Sequence, residues 1–372
     1  MSVTLLHSAD LHLSESSADH GFAVLDDLLA RCAELRPHLL LLCGDVFDTH
    51  RDAEALAGRF GEHLRAVEHT RVVMIPGNHE LLPGRALADL RPQALGQARL
   101  LLDEPVSHLP LDEVDAEIVA VPFRRDLTGY LDWPRPPRSR AVRIGMFHGV
   151  VNGMTYTGES AEADHAVIDP DLFRWLELDY AALGHIHARG RHDFGGCPAH
   201  YPGSARVWRR GEEGPRCASL VVLEGAGVRI EEVPLAAAGQ YRAVAWPVAE
   251  DGALLSGQPP AEVVAALAAT AAAADWVEVR LTGFVERREL LAPLRRELER
   301  AGRARFRRLE VDDGSVVEAE ALRGHPLVTA FQARWREALA RAEAAGDARE
   351  VALLERARQQ ALEQIQARLA GG

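Results

Sequence analysis

Short apolar runs recur through the first half of the chain, and five of them stop at a cluster of carboxylate, amide or imidazole side chains. The runs are Val3 to Ala9, Leu39 to Cys43, Val72 to Ile75, Ile118 to Val121, Ile144 to Phe147 and Tyr180 to Leu183. Runs this short, apolar at successive positions, predict strands buried on both faces, as in sheets covered by helices. Amphipathic helices are expected at about 18–35 and 52–68. The later runs Ala218 to Leu223 and Val228 to Val233 are joined by Glu-Gly-Ala-Gly and read as a hairpin, so the sheets should end in antiparallel strands. The expected fold is α/β, a two-sheet sandwich flanked by helices.

From Tyr241 the rhythm changes. Strands are expected at Arg242 to Val248, Trp276 to Leu281 and Phe306 to Val311, with helices at about 260–274 and 287–301 between them. This is the pattern of a small α+β cap domain. After Asp312-Asp313-Gly314 a helical hairpin is expected. Leu327, Phe331, Trp335 and Leu339 share one helical face, while Val351, Leu354, Ala361, Ile365 and Leu369 share another, with Gly346 between them and Asp347 and Glu350 at capping spacing. The domains are therefore expected at 1–235, 236–320 and 321–372. The hairpin's stripe should cover either its own cap domain or a partner chain.

The 372 residues carry 42 basic and 55 acidic side chains, a net charge of −13. That balance argues against indiscriminate binding to nucleic acid but leaves room for a local basic face. There is no lysine, so every basic side chain is an arginine, able to grip a phosphate with a two-bond fork. The four cysteines form no CxxC pair, which argues against a zinc ribbon or a disulfide framework. No apolar run approaches the roughly 20 residues that span a bilayer, and the N-terminus enters a strand at once. The expectation is a soluble, cytoplasmic protein with no membrane association.

The polar clusters hold the chemistry. Asp10 and His12 follow the first run, and residues two apart in an extended segment point the same way. Asp45 follows the second run after Gly44, Asn78 and His79 follow the third after Gly77, His148 follows the fifth, and His185 and His187 follow the sixth after Gly184. Singly, each block reads as an ordinary turn or a structural histidine. Together, five strand ends bearing metal-capable groups predict one site at a sheet edge, where ligands bind in open α/β sheets. Mixed oxygen and imidazole donors without thiolate suit manganese, with iron or zinc as alternatives. Nearby, Cys43 reads as buried, His7 as a core hydrogen-bonding group, and His50 as either a cleft or a solvated loop residue.

Asp-x-His, Gly-Asp-x-x-Asp, Gly-Asn-His-Glu, a later His-Gly and Gly-His-x-His, in that order over residues 4–204, resemble the calcineurin-like metallophosphoesterase superfamily. Within it, Leu-His-Ser-Ala-Asp-Leu-His-Leu, Gly-Asp-Val-Phe-Asp-Thr, Asp-Tyr-Ala-Ala-Leu-Gly-His-Ile-His and Tyr-Pro-Gly-Ser are similar to the SbcD-type DNA repair exonucleases and their Mre relatives. Glu80 stands where these nucleases often carry Asp, and Asp48 where some carry histidine. The resemblance implies two divalent metal ions, one held by Asp10, His12, Asp45 and His187, the other by Asp45, Asn78, His148 and His185. Asp45 would bridge them at roughly 3.5–4 Å, the spacing for in-line attack on phosphorus. His79 would stay off the metals and protonate the leaving oxygen or stabilise the transferring phosphoryl group, a task suited to an imidazole.

The resemblance also implies a manganese-dependent 3′-5′ exonuclease with possible endonuclease activity, working as a homodimer with an SbcC-like ATPase. The chain has no Gly-x-x-x-x-Gly-Lys-Ser/Thr, so any ATP-driven step needs another polypeptide. Three arginine-rich stretches are candidates for holding DNA by its phosphates. The first, 124–143, includes Arg124 and Arg125. The second, 286–308, sets nine arginines against four glutamates, and the third is Arg206, Arg209 and Arg210 beside Trp208, whose indole reads as packing. The competing expectations are a metallophosphoesterase for nucleotides or other small phosphoesters, and a catalytically idle partner-binding scaffold.

Overall fold

The computed structural model describes residues 2–80, 95–124, 127, 129–154, 166–225, 227–318 and 326–370. Arg125 lies outside them, as do the side chains of Leu327, Ile365 and Leu369. The chain divides into two compact units, Met1–Gln240 and Tyr241–Gly372.

The first unit begins with β1 (Ser2–Ser8), α1 (Ala18–Leu35), β2 (Leu39–Cys43), α2 (His50–His63), β3 (Arg71–Ile75) and β4 (Arg99–Leu100). It continues with β5 (Ser107–Leu111), β6 (Ala116–Val121), β7 (Val142–His148), the short pair β8 (Val150–Val151) and β9 (Val167–Ile168), α3 (Asp171–Trp175) and β10 (Tyr180–Gly184). It closes with β11 (Gly190–Phe194), β12 (Cys197–Tyr201), β13 (Cys217–Glu224) and β14 (Gly227–Pro234). Two six-stranded sheets result, ordered β14-β13-β1-β2-β3-β4 and β11-β12-β10-β7-β6-β5. The expected hairpin forms the antiparallel edge β13-β14 of the first sheet, whereas β1 to β4 run parallel.

The run of four leucines in β2 explains why the two sheets stack. Leu39, Leu41 and Cys43 join Val3, Leu5, Val73 and Ile75 against Ile118, Ile144, Met146 and Tyr180 of the second sheet. The alternate residues Leu40 and Leu42 pack with Phe22, Leu25, Leu28 and Phe60 of the covering helices. Helix α2 starts two residues before its expected position because Thr49 caps it, its side chain accepting the N–H of Asp52 at 3.1 Å. Residues 64–67 then continue as a 3₁₀ turn. All four cysteines are free and buried.

The second unit is a parallel three-stranded sheet of β15 (Tyr241–Val248), β16 (Trp276–Val285) and β17 (Arg308–Glu318). Its crossovers are α4 (Pro260–Ala268) and α5 (Leu291–Arg303), and the helical hairpin of α6 (Pro326–Ala344) and α7 (Ala348–Ala370) follows. Helix α4 ends before its expected limit because Asp275 accepts the N–H of Ala272 at 3.0 Å and turns the alanine-rich segment out of the helix. Asp312-Asp313-Gly314 is not the end of a strand as expected. It lies inside β17, where the register with β16 shifts between Arg280 and Thr282, so an irregularity absorbs the turn-forming residues. Part of the hairpin's apolar face is covered within this unit. Val328 and Phe331 pack on Phe284 and Val317, and the Arg358 guanidinium lies over the Trp335 ring at 4.0 Å.

Candidate metal centre

The parallel strands β1, β2, β3, β7 and β10 all end at one edge of the stacked sheets, and the segment beyond each brings a candidate ligand. The loops are laced together by main-chain bonds, Asp10 N–H to Gly44 O at 3.1 Å and His12 N–H to Asp45 O at 2.9 Å. Asp10, His12, Asp45 and His185 all adopt positive φ, at 55°, 47°, 49° and 95°. Each such backbone costs of order 1–3 kcal/mol and persists only where its surroundings enforce it. Two glycines leave the room the polar groups need. A Cβ on Gly77 would sit 2.0 Å from Asp45 Oδ1, and one on Gly44 would sit 2.1 Å from His148 Nδ1.

Two clusters result. In the first, Asp10, His12 and His187 place ligand atoms within 4.8 Å of one another; in the second, Asp45, His148 and His185 do the same. All six are buried. Half-buried Asn78 joins the second cluster, its Oδ1 lying 3.0 Å from His148 Nε2 and 3.1 Å from His185 Nδ1. The structure thus brings together all seven residues expected to hold metal.

The donor set suits cations. His12 Nδ1 faces Asp48 Oδ1 at 3.2 Å and His187 Nδ1 faces Glu212 Oε1, so in each neutral ring the proton belongs on Nδ1. Yet the two Nε2 atoms stand 3.2 Å apart, with lone pairs converging. His148 Nδ1 likewise donates to Cys43 O at 2.8 Å, which leaves Nε2, 3.3 Å from Asp45 Oδ2, as the atom that either holds a second proton or gives it up for a cation. Converging lone pairs and carboxylates need a positive charge between them, and a divalent ion meets that need in both clusters.

The same crowding moves the acidities. Burial raises the Asp10 carboxyl to about 7, although His148 and His187 oppose the shift. Burial would raise Asp45 as well, but the His148 imidazole, with His12 and His79, outweighs it and holds Asp45 far below the usual carboxylate range. Burial disfavours charge on His148, yet Asp45 and Asp10 raise it to about 9. Burial lowers His12 to about 4 despite the Asp48 hydrogen bond.

A pH dependence follows from these directions. At pH 7 His148 carries a proton and Asp10 carries part of one, and a metal must displace both. Affinity for divalent cations should rise as pH increases from about 6 to 9, with about one proton or more released per chain at pH 7. Calorimetric manganese titrations in buffers of different ionisation enthalpy check this. A binding enthalpy independent of buffer would contradict it.

His79 stands beside the clusters. Its main-chain N–H donates to Asp45 Oδ1 at 3.0 Å, its Nδ1 donates to the Asp48 carbonyl at 2.9 Å, and Asp48 Oδ1 lies 3.9 Å from that nitrogen. Its ring also meets His12 edge to face, with centroids 4.8 Å apart. His79, His12 and Asp48 form a third group of potential ligand atoms within 4.8 Å.

Several residues near the site differ from expectation. Arg206, expected to contact DNA, is only 3% exposed. Its guanidinium donates to Ser17 Oγ at 2.9 Å and to the His12 carbonyl, so its charge holds the first loop and is turned away from solvent. The 124–143 stretch is answered by acids. Arg135 pairs with Glu177, Arg138 with Asp179, Arg140 with Asp112, and fully buried Arg143 with Glu117. Half-buried Arg124 lies over Trp133 at 5.3 Å, and Arg209 lies over Trp208 at 4.4 Å. Only Arg210 of the third stretch is exposed. His50 is buried rather than solvated, its Nδ1 donating to the Glu80 carbonyl at 3.1 Å.

Three contributors were not anticipated as parts of the site. Glu80 is buried, and its carboxylate accepts the N–H groups of Phe47 at 3.0 Å and Gly77 at 2.8 Å, tying the loops after β2 and β3 together. The Trp208 indole stacks on His12 with centroids 4.0 Å apart and planes 10° apart. Glu212 meets His187. Glu80 could have been found from its place in Gly-Asn-His-Glu. Trp208 and Glu212 lie nearly 200 residues from His12 and in a loop without a recognisable pattern.

The sequence profile described as Calcineurin-like phosphoesterase matches residues 3–189. No curated protein matches the sequence. Solved structures of similar fold include a purple acid phosphatase from seeds of yellow lupin, Lupinus luteus, at 12% identity over 65% of this chain and 53% of that one, with TM-score 0.43. A dimetal phosphatase from Danio rerio matches at 12% identity over 63% of this chain and 99% of that one, with TM-score 0.39. A novel archaeal phosphodiesterase matches at 10% identity over 62% and 100%, with TM-score 0.34. Among the described residues no helix is long and apolar enough to cross a membrane.

Proposed function

The chain belongs to the calcineurin-like phosphoesterase family, and from that premise we propose that it is a metal-dependent phosphodiesterase hydrolysing DNA, a manganese-dependent 3′-5′ exonuclease. The observation that carries the hydrolase reading is the convergence of Asp10, His12 and His187 beside Asp45, His148 and His185. Two divalent cations bound there would supply Lewis-acid activation of water and neutralise charge developing on the phosphoryl oxygens.

The chain's own residues do the rest. Asp45 would be the carboxylate shared between the ions, as the resemblance implies, and the His79 main chain and His148 hold it from either side. Asp10 accepts the His185 N–H at 3.2 Å and 3.1 Å through its two oxygens, so the first carboxylate also sets the backbone that carries a ligand of the second cluster. His79 donates Nδ1–H to the Asp48 carbonyl, so the imidazolium form of the ring would carry its second proton on Nε2 and give that proton to the departing oxygen, returning to the neutral ring.

The DNA assignment draws on the resemblance of the flanking motifs and on the unit beyond residue 240. It also draws on Arg287, Arg296, Arg300, Arg303 and Arg305, which are exposed on and around α5. In the same reading an SbcC-like ATPase is the partner, with the remaining hairpin surface as its contact, and the nuclease works as a homodimer. The experiment that tests the function compares hydrolysis of linear duplex DNA with that of a nitrophenyl phosphodiester and a nitrophenyl monoester, with and without manganese. Preference for the monoester, or indifference to DNA, would replace this reading with a small-phosphoester hydrolase.

Salt dependence gives a second check. If those five arginines each meet a phosphate, the logarithm of the binding constant should fall with the logarithm of salt concentration at a slope of about −4.5. Fluorescence anisotropy of a labelled short duplex over several salt concentrations measures it. A flat line would remove the phosphate-gripping role.

A further inference from the structure

Between β12 and β13 the chain makes a loop whose polar groups converge on His187. One oxygen of the Glu212 carboxylate meets His187 Nδ1. The other accepts the main-chain N–H groups of Trp208 at 2.7 Å and Arg209 at 3.0 Å. From the far side Arg216 donates to the His187 carbonyl at 3.3 Å and to the Glu212 carbonyl at 3.0 Å. The segment held this way carries the Trp208 indole, which stacks on His12 and stands edge-on to His187 with centroids 5.6 Å apart.

We propose that Glu212 is the positioning residue of the Asp10–His12–His187 metal site: its carboxylate fixes the His187 tautomer and, through the Trp208 main chain, clamps the indole that orients His12. The proposal rests on the metal-binding reading given above. Its physical basis is that Glu212 offers acceptors only. A carboxylate can take the Nδ1–H of His187 on one oxygen and two main-chain N–H groups on the other. His187 is then left with its Nε2 lone pair facing the ion, and hydrogen-bond partners of this kind typically change metal affinity 10–100-fold when removed.

Glu212→Gln separates this role from a merely structural one because the amide keeps the size and shape of the side chain. Its single oxygen cannot serve both faces. If the amide nitrogen turns to Trp208 and Arg209, donor meets donor and the loop is released. If it turns to His187, the ring must accept at Nδ1 and carry its proton on Nε2, where the cation belongs.

The test is manganese binding to the full chain, by calorimetry and by electron paramagnetic resonance. Wild type should take up two equivalents and give the spectrum of an exchange-coupled pair. Glu212→Gln should keep one equivalent at wild-type affinity, bind the other roughly 10–100-fold more weakly, and show the six-line signal of isolated manganese. Glu212→Asp, which retains the charge but shortens the reach, should fall between them and guards against a glutamine variant that does not fold. Two equivalents at wild-type affinity and an unchanged coupled spectrum in either folded variant would overturn the proposal. A wild-type chain that binds no manganese would overturn the metal-binding reading itself.

Discussion

Replacing Asp45 with alanine should abolish metal-dependent phosphodiester hydrolysis and reduce bound manganese together. The loss should exceed the roughly 10²–10³-fold fall seen when a single oxyanion-stabilising donor is removed, because this carboxylate is assigned to both ions. Two effects accompany the truncation and have to be separated. His148 loses the charge that raises its basicity, so a buried imidazole is left without its partner carboxylate. Residue 45 also sits at φ 49°, a conformation that aspartate and asparagine tolerate better than alanine. Asp45→Asn therefore belongs beside Asp45→Ala, since it removes the charge while keeping the shape and the left-handed backbone. Both variants should lose hydrolysis of a nitrophenyl phosphodiester, and Asp45→Asn should stay folded while losing it. A folded, metal-replete and active Asp45→Asn protein would sink the shared-carboxylate assignment.

How far such a site can be read from sequence depends on whether the information is local. The seven candidate ligands could be picked out because each follows its strand within a few residues, and buried parallel strands leave a plain apolar signature. Strand signals without that signature are weaker. Gly-Arg-His-Asp-Phe of β11 is a polar edge strand that was not expected, and β17, expected only as far as Val311, runs on through Asp312-Asp313-Gly314, residues that alone signal a turn. The 124–143 arginine stretch reads differently in the fold for a related reason. Net charge along a window counts only neighbours in sequence, whereas Glu177, Asp179, Asp112 and Glu117 reach the 124–143 arginines from other segments. Arg206 shows the same limit in one residue, since nothing in its neighbourhood reveals that its guanidinium is turned inward onto the His12 carbonyl. The groups that orient ligands, Glu212 and Trp208, depend wholly on tertiary placement.

His79→Ala should do the reverse of Asp45→Ala, sparing the metals and slowing the chemistry. The hydrogen bond between residue 79 and Asp45 is made by the main-chain N–H, which alanine retains, so the carboxylate keeps its orientation and manganese binding should match wild type. What disappears is the ring whose Nδ1 is anchored on the Asp48 carbonyl, and with it the proton for the leaving oxygen. Turnover on DNA should fall by about 10²–10⁴-fold, the usual contribution of a positioned acid. The leaving group supplies a sharper criterion than the size of the loss. An alkoxide departing from a DNA phosphodiester needs a proton, whereas nitrophenolate leaves readily without one. If His79 is the acid, His79→Ala should be severely impaired on DNA and only mildly impaired on a nitrophenyl phosphodiester. Equal losses on both substrates would reassign the ring to stabilising charge on the phosphoryl group, and loss of bound manganese would move it into the metal shell with His12 and Asp48, the grouping that the geometry also permits.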